Sequence, residues 1–503
     1  MKIPDIEQIR RCEAHTIAHK SISSIELMEI AATACVDRIK QRFSPAVSII
    51  VFCGMGNNGG DGLAMTRLLH EDGFNCTAFI VKHRDLYSTE CLHQLHLLEE
   101  RNIKPKIIEQ ESDIPSCDSC TIVVDALLGI GLSKPIDNPL LEAVIKNMNQ
   151  SKAFVFAIDV PSGLLSEQAM EKQYPAIEAD YTLSFQFPKL SFFFAENYSY
   201  VGEWDIADIG LDGQYINNIP INGYCIEHSL IQSLIRPRGK FAHKGNFGHG
   251  LLIAGSLGMM GAAVLAAKAA LRTGIGLLTV NVPQKGVSIL QTAVNEALCR
   301  CDANENHFTG IDLYPLKYNA LAIGCGLGMH PETAQGLKKL ISDFGGNMIF
   351  DADAINLLAA NKTWLESLPP NCIFTPHLKE FERLTHRVNN SFERMELQRR
   401  FSMRYRCVVV LKGAHTCITT PQGETYFNTS GNPGMAKGGS GDVLTGILLA
   451  LLSQGYTPVD AAVIGVYLHG LAADHALDQQ SYESLLPSDI IENIGRSYKH
   501  LKG

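Results

Sequence analysis

Three stretches in the first half of the sequence combine glycine with polar side chains, and each follows or ends an apolar run. They are GMGNNGGDG (54–62), DALLGIGLSKP (125–135) and IDVPSG (158–163). Glycine lets backbone N–H groups approach a phosphate, while asparagine, aspartate and serine offer oxygen ligands to a cation. GMGNNGGDG has bare GxGxxG spacing but not the full dinucleotide fingerprint, and no Lys-Ser/Thr of a P-loop follows it.

Parallel strands place their carboxyl ends at one edge of a sheet, where ligands bind in open α/β proteins. If the apolar runs form such strands, Asn58, Asp125 and Ser162 meet at that edge, with Asp159 beside the last. Hard oxygen ligands without a thiolate or an imidazole favour an alkali or alkaline-earth cation. Two plainer interpretations stay open: GMGNNGGDG is a decorated turn, or Asp125 and Asp159 simply cap the segments after them.

The second half carries another set of polar and glycine-rich stretches. They are IFDADAIN (349–356), FTPHLKEFERL (374–384), KGAHT (412–416) and GGSGD (438–442). GGSGD precedes an apolar segment with helical character, so its backbone N–H groups and the helix dipole suit an anion. Asp442 is placed to take a proton from a hydroxyl while phosphoryl charge develops on those N–H groups. The plainer interpretations are a helix cap for Asp442, a structural histidine for His377 and a solvated turn for Lys412.

Strand-like and helix-like segments alternate around these stretches. In the first half the predicted strands are VSIIVFC, TAFIV, TIVVDALL, AFVFAID and YTLSFQF, with helical segments such as LLEAVIKNM between them. Continuous apolar strands between amphipathic helices favour a parallel sheet covered on both faces. We predict an α/β protein with a Rossmann-like domain over 1–215 and a second α/β domain over 226–503, joined by the polar segment 211–225.

The composition excludes several classes of protein. With 503 residues, 46% hydrophobic and 19% charged, the chain is globular and long enough for two domains. The formal net charge is −9 and no basic run could follow a nucleic-acid backbone, so we expect no nucleic-acid partner. No apolar run reaches the roughly 20 residues of a membrane span, and the amino terminus lacks a secretory signal. We predict a cytoplasmic enzyme without a membrane partner.

NNGGDG, DALLGIG and IDVPSG, in this order, resemble the NAD(P)H-hydrate epimerase family, also called the YjeF amino-terminal domain. The resemblance implies a Rossmann-like fold that interconverts the R and S epimers at C6 of hydrated NADH or NADPH, with bound K⁺. It implies K⁺ ligands at Asn58, Asp125 and Ser162, and a catalytic role for Asp159. The implied substrate-binding residues are Asn57, Asn58, Gly59, Gly60, Asp61, Gly129, Ile130, Gly131, Leu132, Ser133, Lys134, Pro135 and Asp159.

HKGxxGH, TPHxxEF, KGAHT and GGSGDVLTG resemble the ADP- or ATP-dependent NAD(P)H-hydrate dehydratase family, which has a ribokinase-like fold. The resemblance implies that Asp442 activates the C6 hydroxyl, with Mg²⁺ accompanying the nucleotide phosphates. The implied nucleotide-binding residues are Lys412, Gly413, Ala414, His415, Thr416 and Gly441, and the implied substrate-binding residues are Ala262, Gly328, His377 and Asp442. One departure is Lys379, which stands where the family usually has glycine.

Together the two resemblances imply a bifunctional metabolite-repair enzyme. The first half would interconvert the epimers, and the second would dehydrate the S epimer to NADH or NADPH, consuming ADP and giving AMP and phosphate. ADP as the co-substrate follows from the resemblance to the bacterial fused arrangement. We expect small-molecule partners only, and a homo-oligomer. Two other hypotheses stay open: a small-molecule kinase that uses Asp442, and a nucleotide-sensing protein in which either half has lost its chemistry.

Overall fold

The chain folds into two α/β units. A computed structural model describes residues 1–170, 174–313 and 317–502. The amino-terminal unit comprises Lys2–Ile221 and Asn390–Phe392, and the carboxy-terminal unit comprises Met1, Asn222–Asn389 and the chain from Glu393 onward. Across the described ranges, no helix is both long and apolar enough to cross a bilayer.

Helices and strands alternate along the described part of the amino-terminal unit. The strands are β1 (Ser48–Cys53), β2 (Asn75–Val81), β3 (Lys106–Ile108), β4 (Thr121–Ala126), β5 (Phe154–Ile158), β6 (Tyr181–Phe185) and β7 (Glu203–Ala207). The helices are α1 (Ile6–Lys20), α2 (Ser24–Arg42), α3 (Asn57–Glu71), α4 (Thr89–Glu100), α5 (Pro139–Gln150), α6 (Tyr198–Val201) and α7 (Gly213–Asn218).

These strands form one parallel sheet in the order β3-β2-β1-β4-β5-β6-β7. Helices α2 and α3 pack on the face that contains Val51 and Val124, and α5 packs on the face that contains Phe52 and Val123. Because both faces are covered, β1 and β4 are apolar without alternation, as predicted. Strands β2 and β3 lie on one side of β1, and strands β4 to β7 lie on its other side. The strand order therefore reverses between β1 and β4, where α/β sheets bind ligands.

The carboxy-terminal unit repeats the α/β pattern. Its strands are β8 (Gly223–Cys225), β9 (His249–Ile253), β10 (Leu277–Val282), β11 (Leu298–Cys301), β12 (Ala320–Ile323), β13 (Asn347–Phe350), β14 (Ile373–Phe374), β15 (Val408–Leu411), β16 (Cys417–Thr419) and β17 (Thr425–Phe427). Its helices are α8 (His228–Leu234), α9 (Met260–Thr273), α10 (Val287–Ala293), α11 (Pro331–Asp343), α12 (Ala352–Ala360), α13 (Leu378–Leu384), α14 (Ser391–Tyr405), α15 (Ser440–Ser453), α16 (Pro458–Ala476) and α17 (Pro487–Leu501).

The second sheet has the order β11-β10-β9-β12-β13-β14-β15-β16-β17-β8. Strands β9 to β15 pair in parallel, whereas β16 runs antiparallel to both β15 and β17. Helices α9, α15, α16 and α17 cover one face, and α11 to α14 cover the other. Helix α15 is buried on nearly all sides, which explains its apolar sequence. The strand order reverses between β9 and β12, so a second ligand site is expected there.

The sequence predicts a polar connection over 211–225. Within it Gly213–Asn218 forms α7 and Gly223–Cys225 forms β8, which pairs with β17. A three-residue edge strand carries too little pattern to be recognised from sequence, because its pairing depends on a partner far along the chain.

Candidate active sites

The reversal between β1 and β4 brings GMGNNGGDG against DALLGIG. The N–H of Gly54 donates to the carbonyl of Ala126 at 2.9 Å. Helix α3 begins at Asn57, and its N-cap residue Gly56 offers no side chain, so the first-turn N–H groups have no side-chain cap. At Gly59 an added Cβ would overlap the carbonyl oxygen of Gly54. The glycines thus let the start of α3 approach the β1 loop closely, as a ligand loop requires.

Asp125 and Ser162, two of the three predicted cation ligands, are in direct contact. Asp125 is fully buried; its Oδ1 accepts from Ser162 Oγ at 2.6 Å and its Oδ2 accepts from the Ser162 N–H at 2.7 Å. Burial raises the pKa of Asp125 to about 6, although the bonds from Ser162 and Leu127 oppose the rise. Asp125 does not cap a helix, since the N-cap of α5 is Asn138.

Asn58, the third predicted ligand, lies against the other loop. Its side chain is 8% exposed, and a Cβ on Gly129 would lie 3.2 Å from Asn58 Oδ1. Its Nδ2 is buried without a hydrogen-bond partner among the described residues. An unpartnered buried amide points to a missing ligand atom, because such groups are nearly always bonded. Gly129 to Pro135 continue from this contact along the loop between β4 and α5.

Asp159 follows β5 and pairs with Lys189, a residue that sequence reasoning missed. Lys189 Nζ lies 2.8 Å from Asp159 Oδ1, and the lysine is only 3% exposed. A lone lysine within the apolar run FQFPKLSFFF was the available signal, because a lysine buried among aromatic residues needs a charged partner. Asp159 accepts bonds from Lys189 and the Phe185 N–H, so it does not cap a helix either.

Two further carboxyl groups lie within electrostatic range of Asp159. Burial first, and then the charge on Asp159, raise the pKa of Glu13 in α1 to about 7. Burial, Asp159 and Glu13 also raise the pKa of Asp61 in α3 well above its ordinary value. Asp61 is 9% exposed and forms no side-chain hydrogen bond within the described part of the chain. Glu13 and Asp61 are thus carboxyl groups with raised pKa values beside Asp159, an arrangement suited to acid and base chemistry.

In the carboxy-terminal unit, GGSGD forms the start of α15. The N-cap is Gly439, whose φ of +103° favours glycine, and Asp442 is the third helical residue, so it is not the N-cap. Ser440 Oγ and His469 Nε2 are buried near this helix end without hydrogen-bond partners among the described residues. Burial and the nearby Lys412 lower the pKa of His469 to about 4, so its ring is neutral. The helix end offers an anion N–H groups and unpartnered side-chain atoms.

Lys412 lies directly against this helix end. Its Nζ donates to Asp351 Oδ1 at 2.9 Å, and a Cβ on Gly441 would lie 3.3 Å from the same Nζ. Thr445 Oγ1 donates to Asp351 Oδ2 at 2.8 Å. Burial opposes the charge on Asp351, but Lys412 and the hydroxyl bonds outweigh it and lower its pKa. The stretch IFDADAIN contains Asp351, but no feature of the sequence identified its pairing with Lys412.

Asp442 completes this cluster. Its carboxylate, that of Asp351 and the Cys325 Sγ lie within 4.8 Å of one another. Burial first, and then the charge on Asp351, raise the pKa of Asp442 to about 6. Near neutral pH the carboxylate is thus ionised yet is a better base than an exposed aspartate, which suits proton abstraction from a hydroxyl.

The other predicted dehydratase residues surround the same strand ends. Ala262 lies on α9, with its Cβ 3.0 Å from a Cβ built on Gly326. Gly328 has a φ of +79° and its N–H donates to Asp353 Oδ2 at 2.8 Å. His377 is the N-cap of α13, where its ring accepts from the Glu380 N–H at 3.3 Å and its side chain stays 49% exposed. His377 thus caps α13 while about half of its side chain remains accessible.

Gly413 to Thr416 form the turn between β15 and β16. Thr416 Oγ1 donates to the Gly413 carbonyl at 3.1 Å, and the N–H of Lys412 donates to the Pro376 carbonyl at 2.9 Å. The second bond places the start of this turn beside His377. The predicted nucleotide-binding and substrate-binding residues therefore share the carboxyl end of the sheet.

Comparison with known proteins shows the same two-part organisation. Residues 250–496 match the family model described as NAD(P)H-hydrate dehydratase, and residues 24–191 match the model described as YjeF-related protein N-terminus. A crystal structure of ADP/ATP-dependent NAD(P)H-hydrate dehydratase from Bacillus subtilis, co-crystallised with ATP and Mg²⁺, is 29% identical with a TM-score of 0.50. That likeness covers 56% of this chain and 100% of the other, and the expected ribokinase-like fold of the second half is confirmed.

Relatives of known name align along nearly the whole chain. The bifunctional NAD(P)H-hydrate repair enzyme of Moorella thermoacetica is 34% identical over 497 residues, covering 96% of this chain and 93% of the relative. The enzyme of the same name from Coxiella burnetii is 34% identical over 491 residues, covering 97% of each. The chain belongs to the family of bifunctional NAD(P)H-hydrate repair enzymes.

Proposed function

We propose that the chain repairs hydrated NADH and NADPH at two active sites, an epimerase site in the amino-terminal unit and a dehydratase site in the carboxy-terminal unit. The observation that carries this proposal is that each unit has a buried or half-buried aspartate with an accessible carboxyl group, Asp159 or Asp442, among polar groups near the carboxyl ends of its strands. The full-length likeness to bifunctional repair enzymes supports the same assignment.

In the dehydratase site, Asp442 takes the proton of the C6 hydroxyl as the hydroxyl oxygen attacks the terminal phosphoryl group of the nucleotide. The N–H groups at the start of α15 and the ammonium of Lys412 stabilise the charge that develops on the phosphoryl oxygens. The C6–O bond then breaks with loss of phosphate and of a proton from C5, which restores the dihydronicotinamide. With ADP as the donor, the products are AMP, phosphate and NADH or NADPH.

The adenine nucleotide is proposed to bind along Lys412 to Thr416 and Gly441, with Mg²⁺ on its phosphates. The donor set near Asp442 fits Mg²⁺ only in part, because burial raises the pKa of the Cys325 thiol well above its ordinary value and a neutral thiol is a poor Mg²⁺ ligand. Asp351 is already bonded to Lys412 and Thr445. The nucleotide phosphates would therefore supply most of the Mg²⁺ ligands, with Asp442 as the nearby protein carboxylate. When bound, Mg²⁺ neutralises phosphate charge.

In the epimerase site, K⁺ is proposed to bind Asn58, Asp125 and Ser162. The residues fit a hard cation: Asp125 is a fully buried carboxylate that contacts no basic side chain within the described ranges, and its neighbours offer oxygen atoms. K⁺ would supply the charge that balances Asp125. The unpartnered Nδ2 of Asn58 is a hydrogen-bond donor and not a cation ligand, so this atom would face an oxygen of the substrate. Asn57 to Asp61 and Gly129 to Pro135 would hold the substrate, and Asp159 would exchange the proton of the C6 hydroxyl.

The test uses the full chain with a mixture of hydrated NADH epimers, Mg²⁺, K⁺ and either ADP, ATP or no nucleotide. We expect recovery of the absorbance of reduced nicotinamide with ADP, release of one AMP and one phosphate per NADH, and recovery from both epimers. No recovery with either nucleotide would contradict the proposal. Phosphorylation of the substrate without recovery would favour the kinase hypothesis. We also propose that the chain acts in the cytoplasm and that it forms a homo-oligomer. Light scattering on the purified chain would test the oligomeric state.

A further inference from the structure

The side chain of Lys189 makes an unusually complete set of contacts. It is 3% exposed, and its Nζ lies 2.8 Å from Asp159 Oδ1, 2.8 Å from Ser184 Oγ and 3.1 Å from the carbonyl of Phe187. All three partners can accept its protons, and Asp159 supplies the charge. The ammonium is therefore fixed in position and links the loop after β6 to the end of β5.

Asp159 is held asymmetrically by these contacts. Its φ is +62°, in the left-handed region, and its N–H donates to the Leu183 carbonyl at 2.8 Å. Its Oδ1 accepts from Lys189 Nζ and, at 3.2 Å, from the Phe185 N–H. No hydrogen bond reaches its Oδ2 from any residue in the described ranges, although Asp159 is only 7% exposed. One oxygen is thus committed to the protein and the other is available to a ligand.

Lys189 is the cation that contacts this carboxylate, and acidic groups lie near it. The charged groups that act here are Glu13 and Arg10 of α1, Asp61 of α3 and Lys189 itself. Glu13 and Asp61 are acids, and the field of Arg10 acts on Glu13. Lys189 therefore supplies the positive charge in direct contact with Asp159, beside two further carboxyl groups.

We propose that Lys189 is the positioning residue of the epimerase site, which holds Asp159 Oδ1 and so turns the carboxylate with Oδ2 toward the substrate. This inference rests on the proposed epimerase function. C6 of the substrate carries a hydroxyl and is bonded to N1, so Oδ2 takes the hydroxyl proton, C6=O forms and the C6–N1 bond breaks with its electron pair on N1. Rotation about C5–C6 exposes the other face. N1 then attacks C6, and the new alkoxide takes the proton back from Oδ2.

The test measures interconversion of the R and S epimers by NMR, without nucleotide, so that dehydration does not interfere. We expect Lys189→Met to lower kcat about 100-fold with KM within twofold of wild type, because the substrate loops are unchanged. Lys189→Arg keeps the charge and should recover at least about tenfold of that loss. The control is Lys40→Met, which removes an exposed ion pair with Asp72 in the same unit and should leave kcat unchanged.

A Lys189→Met kcat within about threefold of wild type, or equal loss in the Met and Arg variants, would overturn the inference. If Lys189→Met does not fold, Ser184→Ala decides, since it removes one contact to Nζ and keeps the charge. We expect its kcat to fall about threefold or more with KM unchanged, and an unchanged kcat would overturn the inference. A wild-type chain that does not interconvert the epimers would overturn the proposed function and this inference together.

Discussion

Removing Lys412 should destabilise the carboxy-terminal unit in a way that depends on pH. Asp351 is 1% exposed and accepts from Lys412 Nζ at 2.9 Å and from Thr445 Oγ1 at 2.8 Å. Lys412→Met would leave the carboxylate buried with the threonine bond but without its cation. Breaking a buried ion pair by removing one partner typically costs about 3–5 kcal/mol. Because the Lys412 side chain is 24% exposed, we expect about 2–3 kcal/mol near neutral pH.

The pH dependence follows from the lowered pKa of Asp351. A carboxyl group with a lowered folded-state pKa stabilises the fold above its unfolded-state pKa, and this contribution is lost as the pH falls through the folded-state value. In Lys412→Met, burial favours the protonated form of Asp351, which needs no cation. The stability difference between wild type and the variant should therefore be largest near neutral pH and should shrink as the solution is acidified toward the ordinary pKa of aspartate.

The two tryptophans allow each unit to be followed by itself. Trp204 lies in the amino-terminal unit and Trp364 in the carboxy-terminal unit, so a Trp204→Phe background reports unfolding of the second unit in guanidinium chloride. The matched control is Lys339→Met, which removes an exposed pair with Asp343 and should cost less than about 0.5 kcal/mol. Equal loss in both variants, or a Lys412→Met loss that is independent of pH, would refute this reasoning.

Three further predictions concern single groups. Glu13→Gln should stabilise the amino-terminal unit by up to about 2 kcal/mol above pH 7 and have no effect near pH 4, because a carboxyl group with a raised pKa opposes folding only when it is charged. Unfolding followed by Trp204 fluorescence in a Trp364→Phe background measures this. An equal effect at both pH values would contradict the prediction. Gly59→Ala should lower the free energy of unfolding by about 3 kcal/mol, because the added Cβ overlaps Gly54. Gly213→Ala, whose Cβ has open space around it, should change that free energy by less than about 0.5 kcal/mol. Similar losses in the two variants would contradict the close packing at Gly59. Recovery of NADH should slow as the pH falls below about 6, where Asp442 takes up a proton, and a flat profile would argue against Asp442 as the base.

The strand ends were the most predictable part of the fold and the sites. Long apolar runs such as β1 and β4 are buried on both faces, so their sequences identify them and place GMGNNGGDG and DALLGIG at one edge. The contact between Asp125 and Ser162 follows from the neighbouring positions of β4 and β5. The short strands β3 and β8 could not be predicted, because they are defined by pairing with distant segments and not by their own pattern.

Pairs of charged residues were the least predictable part. Lys189 and Lys412 each reach an aspartate that another strand supplies, at sequence separations of 30 and 61 residues. No local spacing encodes such a contact, since it depends on which strands are neighbours and on how each side chain turns. A lysine inside an apolar run indicates that a buried partner exists but does not identify it.

The separation of the two chemistries is the central claim, and one experiment measures it directly. A mixture of R and S hydrated NADH is incubated with ADP and either Asp442→Asn or Asp159→Asn, and both epimers and NADH are followed by NMR. We expect Asp442→Asn to stop formation of NADH while the epimers still interconvert at the wild-type rate. Asp159→Asn should form NADH rapidly only from the S epimer that is present at the start. Loss of interconversion in Asp442→Asn, or rapid conversion of both epimers by Asp159→Asn, would contradict the two-site account.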